Sequence, residues 1–198
     1  NEVVLDLAAA PGSKTTQIAQ LMQNKGIIIA NDIAYDRLKP LTINLERCGI
    51  SNTIVTLRSN YSFKEMRFDK ILLDAPCSGS GAIRKSLKTL KIWNPYMVNK
   101  LANQQKRLLL NAFDSLQEDG ILVYSTCSID PEENEDVINF LLNNRQVKLE
   151  KIDLDIKRSP IILDYGKEHY NNEIEKCLRI WPQDNNTEGF FVAKIKRA

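Results

Sequence analysis

Short, β-branched apolar runs alternate with longer stretches of helical periodicity along most of this chain. Val3 to Leu7, Ile27 to Ala30, Thr53 to Leu57, Lys70 to Leu73, Ile121 to Tyr124, Val147 to Ile152 and Phe190 to Ile195 read as seven strands. Between them, Thr16 to Met22, Arg37 to Cys48 and Asn99 to Leu116 repeat apolar residues at helical spacing. Pro40 is tolerable only in a first turn and Gly49 is a stop signal, so the second helix is expected to start close to Arg37. Asp130-Pro131-Glu132-Glu133 has the grammar of a capped helix, with Asp130 as N-cap, running to Leu142. Such alternation implies a mostly parallel sheet with helices on both faces, a fold that binds ligands outside the carboxyl ends of its strands.

Those ends carry the chemistry. Val3 to Leu7 passes through Asp6 into Ala8-Ala9-Ala10-Pro11-Gly12-Ser13-Lys14, a loop of small residues opening a helix, where backbone amides suit a carboxylate or phosphate. Its spacing matches neither a P-loop nor the G-x-G-x-x-G fingerprint, and an ordinary tight turn fits as well. Ile27 to Ala30 leads to Asp32, about twenty residues on, the distance at which an acid accepts from a ribose diol in dinucleotide folds. The run Ile71 to Gly81, ILLDAPCSGSG, stops on Asp74, Pro76 and Cys77, and Ile121 to Tyr124 stops on Ser125-Thr126-Cys127-Ser128. Two thiols and an acid therefore share one end of the sheet. The alternative is a buried strand with incidental cysteines, which behave as small hydrophobes.

Composition narrows the partners. The chain has 198 residues, 43% hydrophobic and 26% charged, as expected of one globular domain. With 27 basic and 25 acidic residues the net charge is +2, so any nucleic-acid footprint must be local. The local cluster is Arg84, Lys85, Lys88 and Lys91, leading to Trp93 and Tyr96. No apolar run is long enough to cross a bilayer. Four dispersed cysteines without a C-x-x-C pair fit reduced thiols in an intracellular protein and not a zinc knuckle. His169 is the single histidine and is not expected to ligate metal or to catalyse. A start almost inside one strand and an end just past another are read as a trimmed catalytic domain over 1–198.

The loop Ala8 to Lys14, Asp32, Asp74-Ala75-Pro76-Cys77-Ser78-Gly79 and Ser125-Thr126-Cys127-Ser128 together resemble the NOL1/NOP2/Sun family of RNA cytosine-5 methyltransferases, which includes RsmB-like proteins. The likeness is strongest at Phe68 to Gly81, at GILVYSTCSIDPEEN from Gly120 and at GFFVAK from Gly189, and it leans toward the NOP2 branch or archaeal relatives. It implies a Rossmann-like S-adenosyl-L-methionine (AdoMet) dependent methyltransferase fold, α/β, with a mostly parallel seven-stranded sheet and an antiparallel last strand. By the same resemblance Ala8, Ala9, Ala10, Pro11, Gly12, Ser13 and Lys14 surround the methionine part of AdoMet, and Asp32 takes the ribose with Arg37 beside it. Ser59 stands where the family has its adenine-side aspartate; Ala8 and Ser13 replace a usual cysteine and glycine.

The resemblance also assigns the chemistry: Cys127 as nucleophile, Cys77 in product release and Asp74 holding the ring and the adduct. C5 of cytosine is a poor nucleophile, so a thiolate adds first to C6. The implied partner is RNA, rRNA foremost and tRNA second, with pre-ribosomal particles if the NOP2 branch applies. The implied compartment is the nucleolus in a eukaryote and the cytoplasm in a prokaryote, and a monomer is expected. RNA selection is assigned to an N-terminal region outside this stretch. The competing readings are a non-catalytic rRNA-binding assembly factor that keeps the fold and a DNA cytosine-5 enzyme, against which Cys127 stands.

Overall fold

The computed structural model describes residues 2–197. Its main sheet runs in the order β3 (Thr53–Leu57), β2 (Ile27–Asp32), β1 (Val3–Asp6), β4 (Phe68–Asp74), β5 (Leu116–Thr126), β10 (Phe190–Arg197), β6 (Val147–Glu150). β1, β2, β3, β4 and β5 pair in parallel, while β10 lies antiparallel between β5 and β6. This is the expected mostly parallel sheet of seven strands with an antiparallel last one. An eighth short strand, β9 (Leu178–Ile180), pairs with β10 off that path. A separate hairpin, β7 (Asp164–Tyr165) with β8 (Glu168–His169), crosses the polar stretch, where His169 contacts Asp164 at 2.6 Å.

Helices cover both faces. Leu108, Leu109 and Ala112 of α4 (Pro95–Asp114) and Val137, Ile138 and Leu141 of α5 (Glu135–Asn144) pack with Leu5, Leu73, Leu122 and Phe191 in the largest core. On the other face Ala19 of α1 (Ser13–Leu21) packs on Val4 and Ile28, and Leu41 and Leu45 of α2 (Tyr35–Arg47) pack on Ala9, Ala10 and Ala30. Removing these side chains from water is the main stabilising term, about 25 cal/mol per Å² of apolar surface. The strand order reverses between β1 and β4, which opens a crevice at their carboxyl ends.

Four boundaries differ from expectation. α2 begins at Tyr35, so Pro40 falls in its second turn; Pro40 is exposed, and the carbonyl it leaves unpaired faces water. α4 starts at Pro95 and not near Asn99, because Asn94 caps it: its side chain accepts from the Met97 amide at 2.9 Å. β5 starts at Leu116 and absorbs the Asp119-Gly120 turn as an irregularity opposite Phe68 and Lys70, with Asp119 at φ 59°. The capped helix after Asp130 is replaced by a 3-10 turn over Pro131–Glu133 followed by α5. Asp130 makes no capping bond there, since serines outside the turn engage its carboxylate. A five-residue helix, α3 (Lys88–Ile92), carries part of the basic cluster, and α6 (Pro182–Asn185) precedes β10.

Candidate active site

The small-residue loop is bound to its surroundings at both ends. Gly12 adopts φ 103°, and a Cβ there would lie 2.9 Å from Leu41 Cδ1, so only glycine fits against α2. Asp32, buried at the end of β2, accepts from the Ala10 amide at 3.3 Å through Oδ2 and from the Ala34 amide at 3.1 Å through Oδ1. Arg37 donates to the Ala10 carbonyl at 2.6 Å and lies 3.5 Å from Asp32. Ala10 of the predicted loop is thus joined to both Asp32 and Arg37, while Lys14 at the loop's end turns to Asp74. Ser59 is not joined to it: it is exposed and its Oγ accepts from the Tyr61 amide. Asn60 is the buried neighbour, held at 3.0 Å by Asn31, whose amide also reaches the Arg58 carbonyl.

Ala8, Pro11, Ser13 and Lys14 line a small hollow whose floor includes Asp6 and Asp74. Asp6 is 1% exposed; its Oδ2 accepts from Thr15 Oγ1 at 2.7 Å, while Oδ1 is buried with no hydrogen-bond partner among the described residues. Burial pushes its carboxyl up to about 6, against the pull of the Thr15 hydrogen bond, with the nearby Asp74 charge adding to the rise. Sequence reading passed over Asp6 as the end of a strand. The only signal available was an acid inside an apolar run, and acids are rarely buried without a purpose.

Asp74, Cys77 and Cys127 converge at the ends of β4 and β5. Cys77 Sγ and Cys127 Sγ are 3.2 Å apart. Asp74 accepts from Lys14 Nζ at 2.6 Å and from Ser125 Oγ at 2.7 Å, and Lys14 also lies 5.7 Å from the Phe190 ring centroid. The thiols are unequal. The Cys127 thiol is held down because Cys77 donates a hydrogen bond to it, outweighing partial burial and the Asp74 charge, with Lys14 helping. The Cys77 thiol is pushed far up by that same donation, then by burial and by the charges of Cys127 and Glu133. When the pair holds a single proton, these directions favour it on Cys77 and the thiolate on Cys127.

The loops behind the thiols are fixed by main-chain bonds. Gly81 N donates to Cys127 O, and Gly189 N donates to Gly81 O, both at 2.9 Å. A Cβ on Gly81 would sit 2.3 Å from Gly189 O, so close approach of three backbones demands glycine. Asp130 Oδ2 accepts from Ser80 at 2.6 Å, from Ser128 at 3.0 Å and from Trp93 Nε1 at 3.3 Å. Arg84 is not a free cation, because it donates to the carbonyls of Pro182 and Thr187 at 3.2 and 3.4 Å. Lys85 lies 3.6 Å from Glu188, whereas Lys88 and Lys91 are exposed.

Known proteins share this layout. The family model described as 16S rRNA methyltransferase RsmB/F matches residues 1–196. A tRNA (cytosine(49)-C(5))-methyltransferase of Pyrococcus abyssi is 49% identical over all of this chain, which spans 64% of that protein. Ribosomal RNA small subunit methyltransferase F of Psychromonas ingrahamii is 45% identical over 98% of this chain and 40% of its own length. The crystal structure of NSun6 from Pyrococcus horikoshii with SFG superposes with a TM-score of 0.86 at 35% identity, over 100% of this chain and 48% of that one. The chain therefore spans between two fifths and two thirds of these three relatives. Over that span, with the thiol pair, the small-residue loop and the strand order in place, the chain belongs to the RsmB/F family of rRNA methyltransferases, the Sun/NOL1/NOP2 group.

Proposed function

We propose that this chain is the catalytic domain of an AdoMet-dependent RNA cytosine-5 methyltransferase acting on rRNA or tRNA. The observation that carries the reading is the thiol pair at 3.2 Å, flanked by Asp74 and Lys14. Cys127, the thiolate of the pair, adds through Sγ to C6 of a cytosine and enriches C5 in electrons. Asp74 accepts from ring N3 once the adduct carries a proton there, taken up from solvent as the thiolate adds, and so stabilises the adduct. In the last step a base or water removes the C5 proton, the C6–Sγ bond breaks and the ring double bond re-forms, and Cys77, which has kept its own proton until then, gives it to the departing Cys127 sulfur. AdoMet, when bound, supplies the electrophilic methyl group that C5 takes up.

The loop suits that cofactor on an observation independent of family. Asp6, whose Oδ1 is buried without a partner among the described residues, lines a hollow walled by small residues, and a ligand ammonium that reached it would satisfy it. The Ala8 to Lys14 backbone would take the amino-acid end, and Asp32, steadied by Arg37, the ribose hydroxyls; Ser59 would make no acidic contact with adenine. A non-catalytic RNA-binding role gives the polarised thiols no task. On this reading the protein works where rRNA or tRNA matures, the cytoplasm of a prokaryote or the nucleolus of a eukaryote.

The test separates the cysteines. Cys127→Ala should abolish methyl transfer from labelled AdoMet to rRNA and tRNA and form no covalent adduct. Cys77→Ala should transfer the methyl group yet stay cross-linked to RNA on a denaturing gel, because losing a release group blocks only the last step. An adduct in the Cys127 variant and none in the Cys77 variant would reverse the roles, and full activity in both would remove the thiols from the chemistry.

A further inference from the structure

Behind Cys77 lies a buried carboxylate with no cation. Glu133 is fully buried in the Pro131–Glu133 turn and forms no ion pair among the described residues. Its oxygens accept from the Ser78 amide at 3.0 Å, from Ser78 Oγ and from Gln105 Nε2 at 2.9 Å. Gln105, also fully buried, uses the same nitrogen to donate to the Pro76 carbonyl at 2.8 Å. The main chain is therefore gripped on both sides of Cys77, at Pro76 by an amide and at Ser78 by a carboxylate. The grip is anchored in turn, since Tyr124 Oη donates to the Glu133 carbonyl at 2.6 Å and Gln105 sits in the middle of α4. An unpaired buried charge is expensive where hydrogen bonds alone support it, and a neutral glutamine could make most of the same contacts. Position alone does not account for the charge.

We infer that Glu133 and Gln105 are positioning residues that hold Cys77 against Cys127, and that the carboxylate of Glu133 adds to the bias that keeps the proton on Cys77. The groups facing the thiol pair are Lys14 on α1, Asp74 on β4, Tyr124 on β5 and Glu133 beyond β5, while Asp130 reaches Ser78 Oγ beside Cys77. Of these, Glu133 raises the Cys77 thiol, whereas at Cys127 the Asp74 charge raises the thiol and Lys14 lowers it. Glu133, which grips Ser78 next to Cys77, therefore acts on one thiol of the pair and not on the other. A carboxylate at residue 133 disfavours thiolate on Cys77 and leaves it able to give up a proton late in a reaction. The purpose of this arrangement rests on the two-thiol reading, but its geometry and its test do not involve RNA or AdoMet.

The test is alkylation of the protein by iodoacetamide across pH 5 to 10, with each cysteine followed by peptide mass spectrometry. Exposed Cys48 reports the reagent, and buried Cys177 reports whether the fold is intact. In the parent, Cys127 should react at lower pH than Cys48, and Cys77 should react slowest of the three, at a rate that climbs with pH across the range. Glu133→Gln should move the onset of Cys77 alkylation down by about one pH unit and lower the Cys127-to-Cys77 reactivity ratio about tenfold at fixed pH, with Cys177 still protected. Gln105→Met keeps the charge and frees Pro76, so it should raise Cys77 reactivity at every pH without moving its midpoint. If Glu133→Gln leaves both profiles superimposed on the parent while Cys177 stays protected, the charge has no part in dividing the thiols. If Glu133→Gln exposes Cys177, the Gln105→Met profile decides, and a shifted midpoint in that variant overturns the assignment. Failure of methyl transfer in the cysteine variants, by contrast, would leave these alkylation profiles unchanged.

Discussion

Replacing Asp6 by asparagine should change how stability depends on pH, by an amount the structure fixes in sign and size. Asp6 rises from 3.8 to about 6 on folding, chiefly through burial. Between about pH 4 and 6 the folded protein therefore binds a proton that the unfolded chain has released, so this group lowers stability as pH rises through that window. Above pH 6 its full cost is present, about 3 kcal/mol at 1.36 kcal/mol per pKa unit. The asparagine side chain cannot titrate, so the stability difference between variant and parent should grow in favour of the variant by about 2 to 3 kcal/mol from pH 4 to pH 8. Constant effects of the amide, such as a weaker bond from Thr15 Oγ1, cancel in that comparison. Urea unfolding of both proteins at intervals across this range measures the difference directly. A difference that stays flat with pH would mean that Asp6 does not titrate there and that the unpartnered Oδ1 is compensated by something other than protonation.

Asp32→Ala should weaken AdoMet binding by about 2 kcal/mol in calorimetry, since it removes a charged acceptor and also frees the Ala10 amide that shapes the loop; an unchanged Kd would take Asp32 out of the site. Replacing Lys85, Lys88 and Lys91 by glutamine should lower the salt dependence of RNA binding by about 0.7 to 0.9 per lost phosphate contact, with Lys85 contributing least because Glu188 already faces it. Arg84 is left out of that set because it holds two carbonyls; an identical slope in the triple variant would make the cluster a solvated face. Arg179→Met should destabilise by about 3 to 5 kcal/mol, because it strands fully buried Glu135, and adding Glu135→Leu should recover most of the loss; a single-variant loss below about 1 kcal/mol would contradict the pairing.

What could be read from residues alone was whatever has a period or a fixed spacing. The apolar runs gave β1 to β4, β6 and β10, and three motifs at strand ends brought Asp74, Cys77 and Cys127 to one edge, because a parallel sheet lines up its carboxyl ends. The errors lie where a side chain left its local partner for a distant one. Asp130 reads as a helix cap, yet its carboxylate serves Ser80 and Ser128, so the helix starts four residues later, at Glu135. Glu133 looked like the reciprocal half of that cap and instead holds Ser78. Arg84 looked like a phosphate ligand and instead closes a loop. Asp6 carries only the weak signal of an acid inside an apolar run and Gln105 none, since nothing in a sequence marks an acid or an amide as the one that tertiary packing will leave short of partners.

The chain of backbone bonds from Cys127 to Gly81 to Gly189 ties the order of synthesis to the onset of reactivity. β10 sits between β5 and β6 although it is made last, and Phe190, at its start, packs on the Lys14 ammonium. A nascent polypeptide that has emerged only through Cys127 carries both sulfurs but lacks the segment that braces them, since synthesis proceeds from the amino end at about 5 to 20 residues per second. For several seconds it presents thiols with neither their spacing nor their division of the proton.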